Sequence, residues 1–366
     1  MKIWINKNEN EMPDTSYDSA YIFSLNREEY STIYSNISDT WLRLGSLSIS
    51  TIYEDLFLIA ISIFAVDKRV SRSIFTDCWT REFDISIPVI ELEKWESARI
   101  LWNKTMNFLT GDVWNINFRK SENRYSQRVR QSRNRIDISG CDVVSLFSGG
   151  LDSFCGAIEL LEHGKSPCFF GHNEYPKLRA KQEKLCEQLQ NEYSSQTTKF
   201  LSFTANSRAP YSNKLGRLAR SENTSRGRSL LFLCSALTIA GILGEQTPVY
   251  IPENGFIGLN VPLTNSRKGT CSTRTTHPFF LDNFRKILEK VGIQNPIINF
   301  YAFATKREIV NSVKDKNSFK QGYADTISCS HPCLPRWDKN GNNEYPKNCG
   351  YCYPCLIRKS SLIDIG

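Results

Sequence analysis

Apolar and polar positions alternate along Phe83, Ile85, Ile87 and Val89, a period of two that predicts a strand with one buried face. Trp95 to Leu109 continues with helical spacing, and Val113 to Phe118 alternates again. Two longer apolar runs, Leu56 to Val66 and Leu230 to Leu243, are too short to span a bilayer and predict buried helices. From Asp142 the pattern becomes a regular series. Strands are predicted at Val143 to Phe147, Cys168 to Gly171, Lys199 to Thr204 and Val249 to Ile251, and helices at Phe154 to Glu162, Lys177 to Gln190 and Ser229 to Leu243. Strands alternating with helices predict a parallel sheet covered on both faces, with ligand sites at the carboxyl ends of its strands. The expected fold class is α/β in three parts: an α+β domain over residues 1–138, a parallel-sheet domain over 139–325 and a cysteine-rich segment over 326–366.

A chain of 366 residues, 40% hydrophobic and 23% charged, is long enough for two domains with their own cores. Its start, Met1-Lys2-Ile3-Trp4-Ile5-Asn6, lacks the apolar core of a signal peptide, so a soluble cytoplasmic protein without a membrane partner is expected. The net charge of +8 favours anionic partners without choosing among nucleotide, nucleic acid and acidic protein. Arg119, Lys120, Arg124, Arg128, Arg130, Arg133 and Arg135 read as a solvated connector, or as a contact for a nucleic acid or acidic partner. Of the 12 cysteines, five fall between Cys329 and Cys355, a crowding that metal binding explains better than disulfides in a chain of this size.

The densest chemistry is Ser148-Gly149-Gly150-Leu151-Asp152-Ser153, between the strand ending at Phe147 and the helix from Phe154. A glycine turn that opens a helix exposes backbone N–H groups to an anion, and the helix dipole favours its charge. Ser148 and Ser153 add hydroxyls, and the carboxylate of Asp152 suits a magnesium bridge better than direct phosphate contact. The alternative is an ordinary glycine turn between strand and helix. It is not the Walker loop, which needs Gly-Lys-Ser/Thr. Thr224-Ser225-Arg226-Gly227-Arg228-Ser229 brings two guanidiniums to the start of a buried helix, where they suit a pyrophosphate leaving group or simply cap the helix.

Cys349, Cys352 and Cys355 stand at Cys-x-x-Cys-x-x-Cys spacing, with Cys329 upstream as a fourth thiol. Four thiolates suit a closed zinc site; an iron–sulfur cluster, and Cys333 or His331 as replacement ligands, stay open. Glu253, Asn254 and Asn260 offer groups suited to a guanine-like edge or are plain turn residues, and His277 before Pro278 reads as a helix cap rather than a base.

In order, Ser-Gly-Gly-x-Asp-Ser, Arg226-Gly227-Arg228-x-x-x-Phe232-Leu233, Ser328-Cys329 and the Cys-Gly-x-Cys-x-x-Cys with Leu356-x-Arg358 resemble 7-cyano-7-deazaguanine synthase (QueC), a PP-loop ATP pyrophosphatase family, over about residues 142 to 360. The resemblance implies that the carboxylate of 7-carboxy-7-deazaguanine is adenylated and converted with ammonia to an amide and then a nitrile. It implies ATP and magnesium at Ser148, Gly149, Gly150, Leu151, Asp152 and Ser153, phosphates at Arg226 and Arg228, and a structural zinc at Cys329, Cys349, Cys352 and Cys355. Where the housekeeping enzymes have an Asp-Tyr-Gly-Gln-Arg-His type segment near the substrate, this chain has Gly171-His172-Asn173-Glu174-Tyr175-Pro176-Lys177, so the acceptor side differs and His172 becomes a substrate-binding candidate with Glu253 and Asn254.

With its added N-terminal domain, the chain looks more like the QueC-like proteins of anti-phage defence, in the Qat system and some CBASS operons. Those relatives imply a deazaguanine joined to an amine, such as the amino terminus of a protein encoded in the same operon. A homodimer is compatible with this reading. A tRNA-modifying thiolase is less favoured, since Cys155 and Cys234, the cysteines nearest the motifs, lie in apolar helices where thiols are usually inert. A non-catalytic nucleotide-binding scaffold is disfavoured by intact Asp152, Arg226 and Arg228.

Overall fold

Side chains that face the interior in every direction explain why helix Thr51–Arg69 lies deep in the protein, with Leu56 to Val66 inaccessible or nearly so. The computed structural model describes the chain apart from residues 8–10, 26–30, 46–48, 126–134, 174, 223, 225, 260–273, 334–344, 364 and 366. The described residues form two interleaved units. One comprises Met1–Ile136, Thr204–Gln246 and Gly258–Asn295, the other Asp137–Phe203, Thr247–Ile257 and Pro296–Gly366.

In the first unit the described strands run Gly216–Arg217, Tyr211–Ser212, Tyr21–Ser24, Lys2–Asn6, Glu82–Val89, Val113–Lys120 across one sheet. The last four pair in parallel; only the two short strands at the far edge are antiparallel. The longer strands of the expected α+β domain are thus parallel, while the separate pair Ile33–Ser35 and Ala205–Ser207 is antiparallel. Glu82–Val89 and Val113–Lys120 are joined by helix Leu92–Thr110 as a parallel crossover unit, which the sequence pattern of strand, helix, strand permitted but did not specify. Val113–Lys120 is an edge, and helix Leu92–Thr110 covers it with side chains. Asn107 Oδ1 accepts the Trp114 N–H at 2.8 Å, Asn103 Oδ1 the Ile116 N–H at 3.0 Å and Glu96 Oε1 the Phe118 N–H at 3.4 Å.

Helix Arg226–Leu243 belongs to this unit rather than to the parallel series in which the sequence placed it, and packs on Thr51–Arg69. Among the described residues it is the one helix long and apolar enough to cross a membrane, and 67% of it is buried inside the protein. The basic segment is not a plain connector. Arg119 stacks over Trp4 at 3.7 Å and pairs with Glu11 at 2.6 Å, Lys120 Nζ donates to the Ile90 carbonyl at 2.6 Å, and Arg124 Nε meets Glu54 at 3.4 Å. Arg128, Arg130 and Arg133 lie outside the described residues.

In the second unit the described strands of the sheet, all parallel, are ordered Ile297–Ile298, Val249–Tyr250, Val143–Leu146, Pro167–His172, Lys199–Phe203. Every strand expected from Val143 onward is there. The helices between them are Leu151–Glu162 and Pro176–Glu192. Phe147, Leu151, Phe154, Ile158, Phe169, Leu185 and Leu189 form its core with Ile309 and Val310 of helix Lys306–Val313. Each such large apolar side chain contributes about 1.5–3 kcal/mol on burial, so the base of the Ser148 turn is held by packing on both sides.

Candidate functional site

The central strand Val143–Leu146 ends two residues before Ser148, and helix Leu151–Glu162 begins three residues after it. Gly149 takes φ +81°, a left-handed conformation, and a Cβ there would come within 3.1 Å of Gln182 Cγ, so the turn needs glycine on both counts. Gly150 is the N-cap and has no side chain to bond the helix N-terminus; the first helical N–H, that of Leu151, donates to Ser328 Oγ at 3.4 Å. Ser148 is exposed, its Oγ 3.2 Å from Ser153 Oγ and 3.3 Å from the Gly150 N–H; Ser153 Oγ also donates to the Gly150 carbonyl at 2.9 Å. Two hydroxyls and a helix N-terminus thus converge at the carboxyl end of the middle strand, a geometry suited to an anion.

Asp152 is not open toward this anchor. Its Oδ1 meets Lys306 Nζ at 2.5 Å and its Oδ2 accepts from Asn254 Nδ2 at 2.7 Å. Asn254, expected as a substrate-reading residue, is fully buried and uses its other end to accept the Ile257 N–H at 3.0 Å. Glu253 is half-buried; burial first, then the nearby Asp152 carboxylate, pushes its carboxyl up to about 7, against a lowering effect of Lys306. His172 ends strand Pro167–His172 with its ring buried 4.8 Å from Phe203. Two buried acceptor atoms, Oδ1 of Asn173 just after this strand and Oε1 of Gln182 in helix Pro176–Glu192, have no hydrogen-bond partner among the described residues. Asn260 and Glu174 lie outside them.

Arg226 and Arg228 are in the first unit. Arg226 is buried and donates through Nη1 to the Thr110 carbonyl; burial, and after it the Arg72 charge, bring its guanidinium down to about 10. Its Nη2 has no hydrogen-bond partner among the described residues, and Arg228 is half-buried. His277 is the expected cap, its Nδ1 accepting the Phe279 N–H at 3.1 Å. The Cys155 and Cys234 thiols are fully buried and burial pushes both up, so neither is a reactive thiolate.

The four cysteines do converge. Sulfur atoms of Cys329, Cys349, Cys352 and Cys355 all lie within 4.8 Å of one another, with Cys329 to Cys352 at 3.8 Å and Cys349 to Cys355 at 3.9 Å. Zinc–sulfur bonds of about 2.3 Å at tetrahedral angles place sulfurs about 3.8 Å apart, so the set can hold one ion such as zinc. His331 and Cys333 are exposed and outside the group; the His331 N–H donates to Cys329 Sγ at 3.3 Å. Tyr351 and Cys352 N–H groups donate to Cys349 Sγ at 3.5 and 3.4 Å. Burial acts to raise the Cys349 thiol, but these N–H groups and the neighbouring thiols bring it down to about 6, toward the thiolate a metal requires.

Nothing in the sequence around Lys306 marks it as a site residue. The signal there, Thr305-x-x-Glu308 before an apolar run, marks a helix start, and both capping-box bonds are present; nothing local says that the first helical residue turns toward Asp152. No family model and no curated protein matches the chain.

Proposed function

We propose that the protein is a PP-loop ATP pyrophosphatase-type ligase that adenylates the carboxylate of a 7-deazaguanine and transfers the acyl group to an amine, in the cytoplasm and in the setting of anti-phage defence. The observation that carries this reading is the turn Ser148–Leu151 closing the central parallel strand, with the Ser148 and Ser153 hydroxyls 3.2 Å apart at the start of a helix. ATP phosphates would lie on the hydroxyls of Ser148 and Ser153 and the backbone of Gly149, Gly150 and Leu151. The four cysteines would hold zinc, which supplies a structural cross-link. Direct magnesium ligation by Asp152 does not fit the donors that already occupy both its oxygens.

A carboxylate oxygen of the deazaguanine attacks the α-phosphorus; the bond from that phosphorus to the bridging oxygen breaks, and pyrophosphate leaves with the electron pair. An amine lone pair then attacks the acyl carbon, the bond from that carbon to the AMP oxygen breaks, and AMP departs while the amine proton passes to water. Fixed donors aimed at the phosphates stabilise the charge that develops in the first step. The amine is the amino terminus of a protein encoded alongside, or ammonia.

The test is pyrophosphate release from ATP with and without 7-carboxy-7-deazaguanine. Release is expected only with the carboxylate and is expected to be abolished by Asp152→Asn. ATP turnover that ignores the carboxylate, or survives that substitution, overturns the assignment. Intact mass spectrometry of co-encoded proteins after the reaction identifies the acceptor by an added deazaguanine acyl mass.

A further inference from the structure

Strand Val249–Tyr250 pairs in parallel with the central strand, Val249 beside Val144 and Tyr250 beside Ser145. Three residues beyond Tyr250 and Ser145 stand Glu253 and Ser148, so both leave the sheet at the same end. The backbone of Glu253 is held on both sides. Its N–H donates to the Ile251 carbonyl at 2.9 Å, its carbonyl accepts Asn299 Nδ2 at 2.9 Å, and the Gly255 N–H donates to the Ala304 carbonyl at 2.9 Å. Gly255 has no room for a Cβ, which would stand 2.2 Å from the Ala302 oxygen. The half-buried Glu253 carboxylate, by contrast, accepts no hydrogen bond and makes no ion pair among the described residues. Carboxylates withdrawn from water are normally paired. The charged groups that face this one are Asp152 from helix Leu151–Glu162 and Lys306 from helix Lys306–Val313. Lys306 Nζ is engaged 2.5 Å from Asp152 Oδ1 and offsets the Glu253 charge only in part. A fixed backbone that carries an unpaired carboxyl, pushed up to about 7 beside the glycine turn, suits proton exchange better than a structural tie.

We propose that Glu253 is a catalytic residue of the transfer step, its carboxylate taking the proton that the attacking amine loses. This role rests on the adenylation reading given above. The amine lone pair forms the bond to the acyl carbon and leaves the nitrogen positively charged. The N–H proton moves to a Glu253 oxygen, the tetrahedral centre collapses, and the bond from the acyl carbon to the AMP oxygen breaks with its electron pair on AMP. The Glu253 carboxyl then gives the proton to water and is restored.

The experiment compares wild type, Glu253→Gln and Glu253→Asp, with thermal unfolding as a check on folding. Adenylation is read as the pyrophosphate burst with 7-carboxy-7-deazaguanine and no amine, across a magnesium series. Transfer is read by mass spectrometry as amide formed with ammonium chloride or glycinamide, a small stand-in for a protein amino terminus. Glu253→Gln is expected to keep the wild-type burst and magnesium requirement while slowing transfer by about 100-fold or more, the range for removing a general base. Wild-type transfer should fall as pH drops through about 7, and Glu253→Gln should lack that inflection. Glu253→Asp, whose carboxylate is set back by one methylene, should keep the inflection at a reduced rate. Hydroxylamine, a weaker base that sheds its proton more readily, should narrow the gap between wild type and Glu253→Gln. Wild-type transfer in Glu253→Gln overturns the proposal, as does a loss equal for hydroxylamine and the other amines, which marks a positioning role. A lost burst or a raised magnesium requirement in Glu253→Gln overturns it too, by placing the residue in the first step or on the metal. If wild type itself gives no burst with the carboxylate, the adenylation reading fails first and this role falls with it.

Discussion

The backbone N–H of Ile327 donates to the Gly149 carbonyl at 2.8 Å, so the segment leading into Cys329 is clasped to the glycine turn. The neighbouring Ser328 Oγ accepts the Leu151 N–H at 3.4 Å, and Asn348, next to Cys349, holds Thr326 and Ser328 by two bonds of 2.9 Å. A metal ion held by the four cysteines would fix both ends of this clasp. Chelation is expected to speed hydrogen exchange over Gly149–Ser153 and Thr326–Ser328 while the strands Val143–Leu146 and Pro167–His172 keep their protection. Cys355→Ser should do the same and lower bound zinc from one equivalent, measured by elemental analysis. Unchanged exchange in the turn after metal loss would refute the coupling.

Helix Leu92–Thr110 supplies side-chain acceptors to an otherwise bare sheet edge, with Asn103 and Asn107 one helical turn apart on the same face. Asn103→Ala and Asn107→Ala are each expected to cost about 1 kcal/mol, the net worth of a hydrogen bond whose backbone partner is left part-buried. Asn103→Asp, which keeps an acceptor, should cost less. Urea unfolding midpoints check the order. The double alanine variant is further expected to self-associate faster at raised temperature, as seen by light scattering, because the edge is then free to pair.

The elements were legible because strand and helix periods differ and the apolar positions follow them closely from Phe83 to Tyr250. Three members of the cysteine cluster were legible from spacing, since Cys349, Cys352 and Cys355 sit on one short turn and helix start, whereas spacing did not separate Cys329 from His331 and Cys333 as the fourth. The Asp152–Lys306 pair was not legible, because its members are 154 residues apart and meet only through the strand order that sets Ile297–Ile298 and Val249–Tyr250 beside Val143–Leu146. Asn254 reads as a substrate group in sequence but is spent on Asp152. Parallel pairing of Lys2–Asn6 with Tyr21–Ser24 was hidden by strands of five and four residues with little alternation. The placement of Arg226–Leu243 was hidden for the opposite reason: a helix apolar on nearly every side does not indicate which neighbour it packs against.

Asp55 is buried beneath the start of helix Leu92–Thr110, accepting the N–H groups of Ile90 and Glu91 at 2.8 Å and Trp95 Nε1 at 3.0 Å. Burial is the largest influence and raises its carboxyl from 3.8 to about 6, although those hydrogen bonds and Lys7 pull the other way. The folded chain thus holds this proton more tightly than the unfolded chain. The resulting stability is fully present below 3.8 and is lost as pH rises through about 6. Asp55→Asn keeps an acceptor but cannot titrate. The denaturation midpoint of that variant should therefore fall less between these two pH values than that of wild type, and equal slopes would count against the raised carboxyl.

Asp67 ties the helix pair of the first unit to its sheet. Its Oδ1 meets Arg81 Nη2 at 2.5 Å, and its Oδ2 accepts the Gly227 N–H at 2.9 Å and the Thr224 hydroxyl at 3.1 Å. Arg81 is fully buried and also pairs with Asp112 at 2.5 Å, so removing Asp67 leaves a guanidinium with one counter-charge and a helix N-terminus without its acceptor. Asp67→Ala is expected to cost about 3–5 kcal/mol, the scale for breaking a buried pair from one side. Asp67→Asn keeps an acceptor for the Gly227 N–H but not the charge, and should fall between. Gly227→Ala tests the same junction by volume, since its Cβ would stand 2.9 Å from the backbone Cα of Phe64; overpacking of this kind costs about 1–3 kcal/mol. If the loss in Asp67→Ala comes from the stranded Arg81 charge, Arg81→Met should recover part of it in the double variant, whereas Gly227→Ala should not be relieved by Arg81→Met. Urea unfolding of the five variants (three single, two double) separates the charge from the packing at this junction.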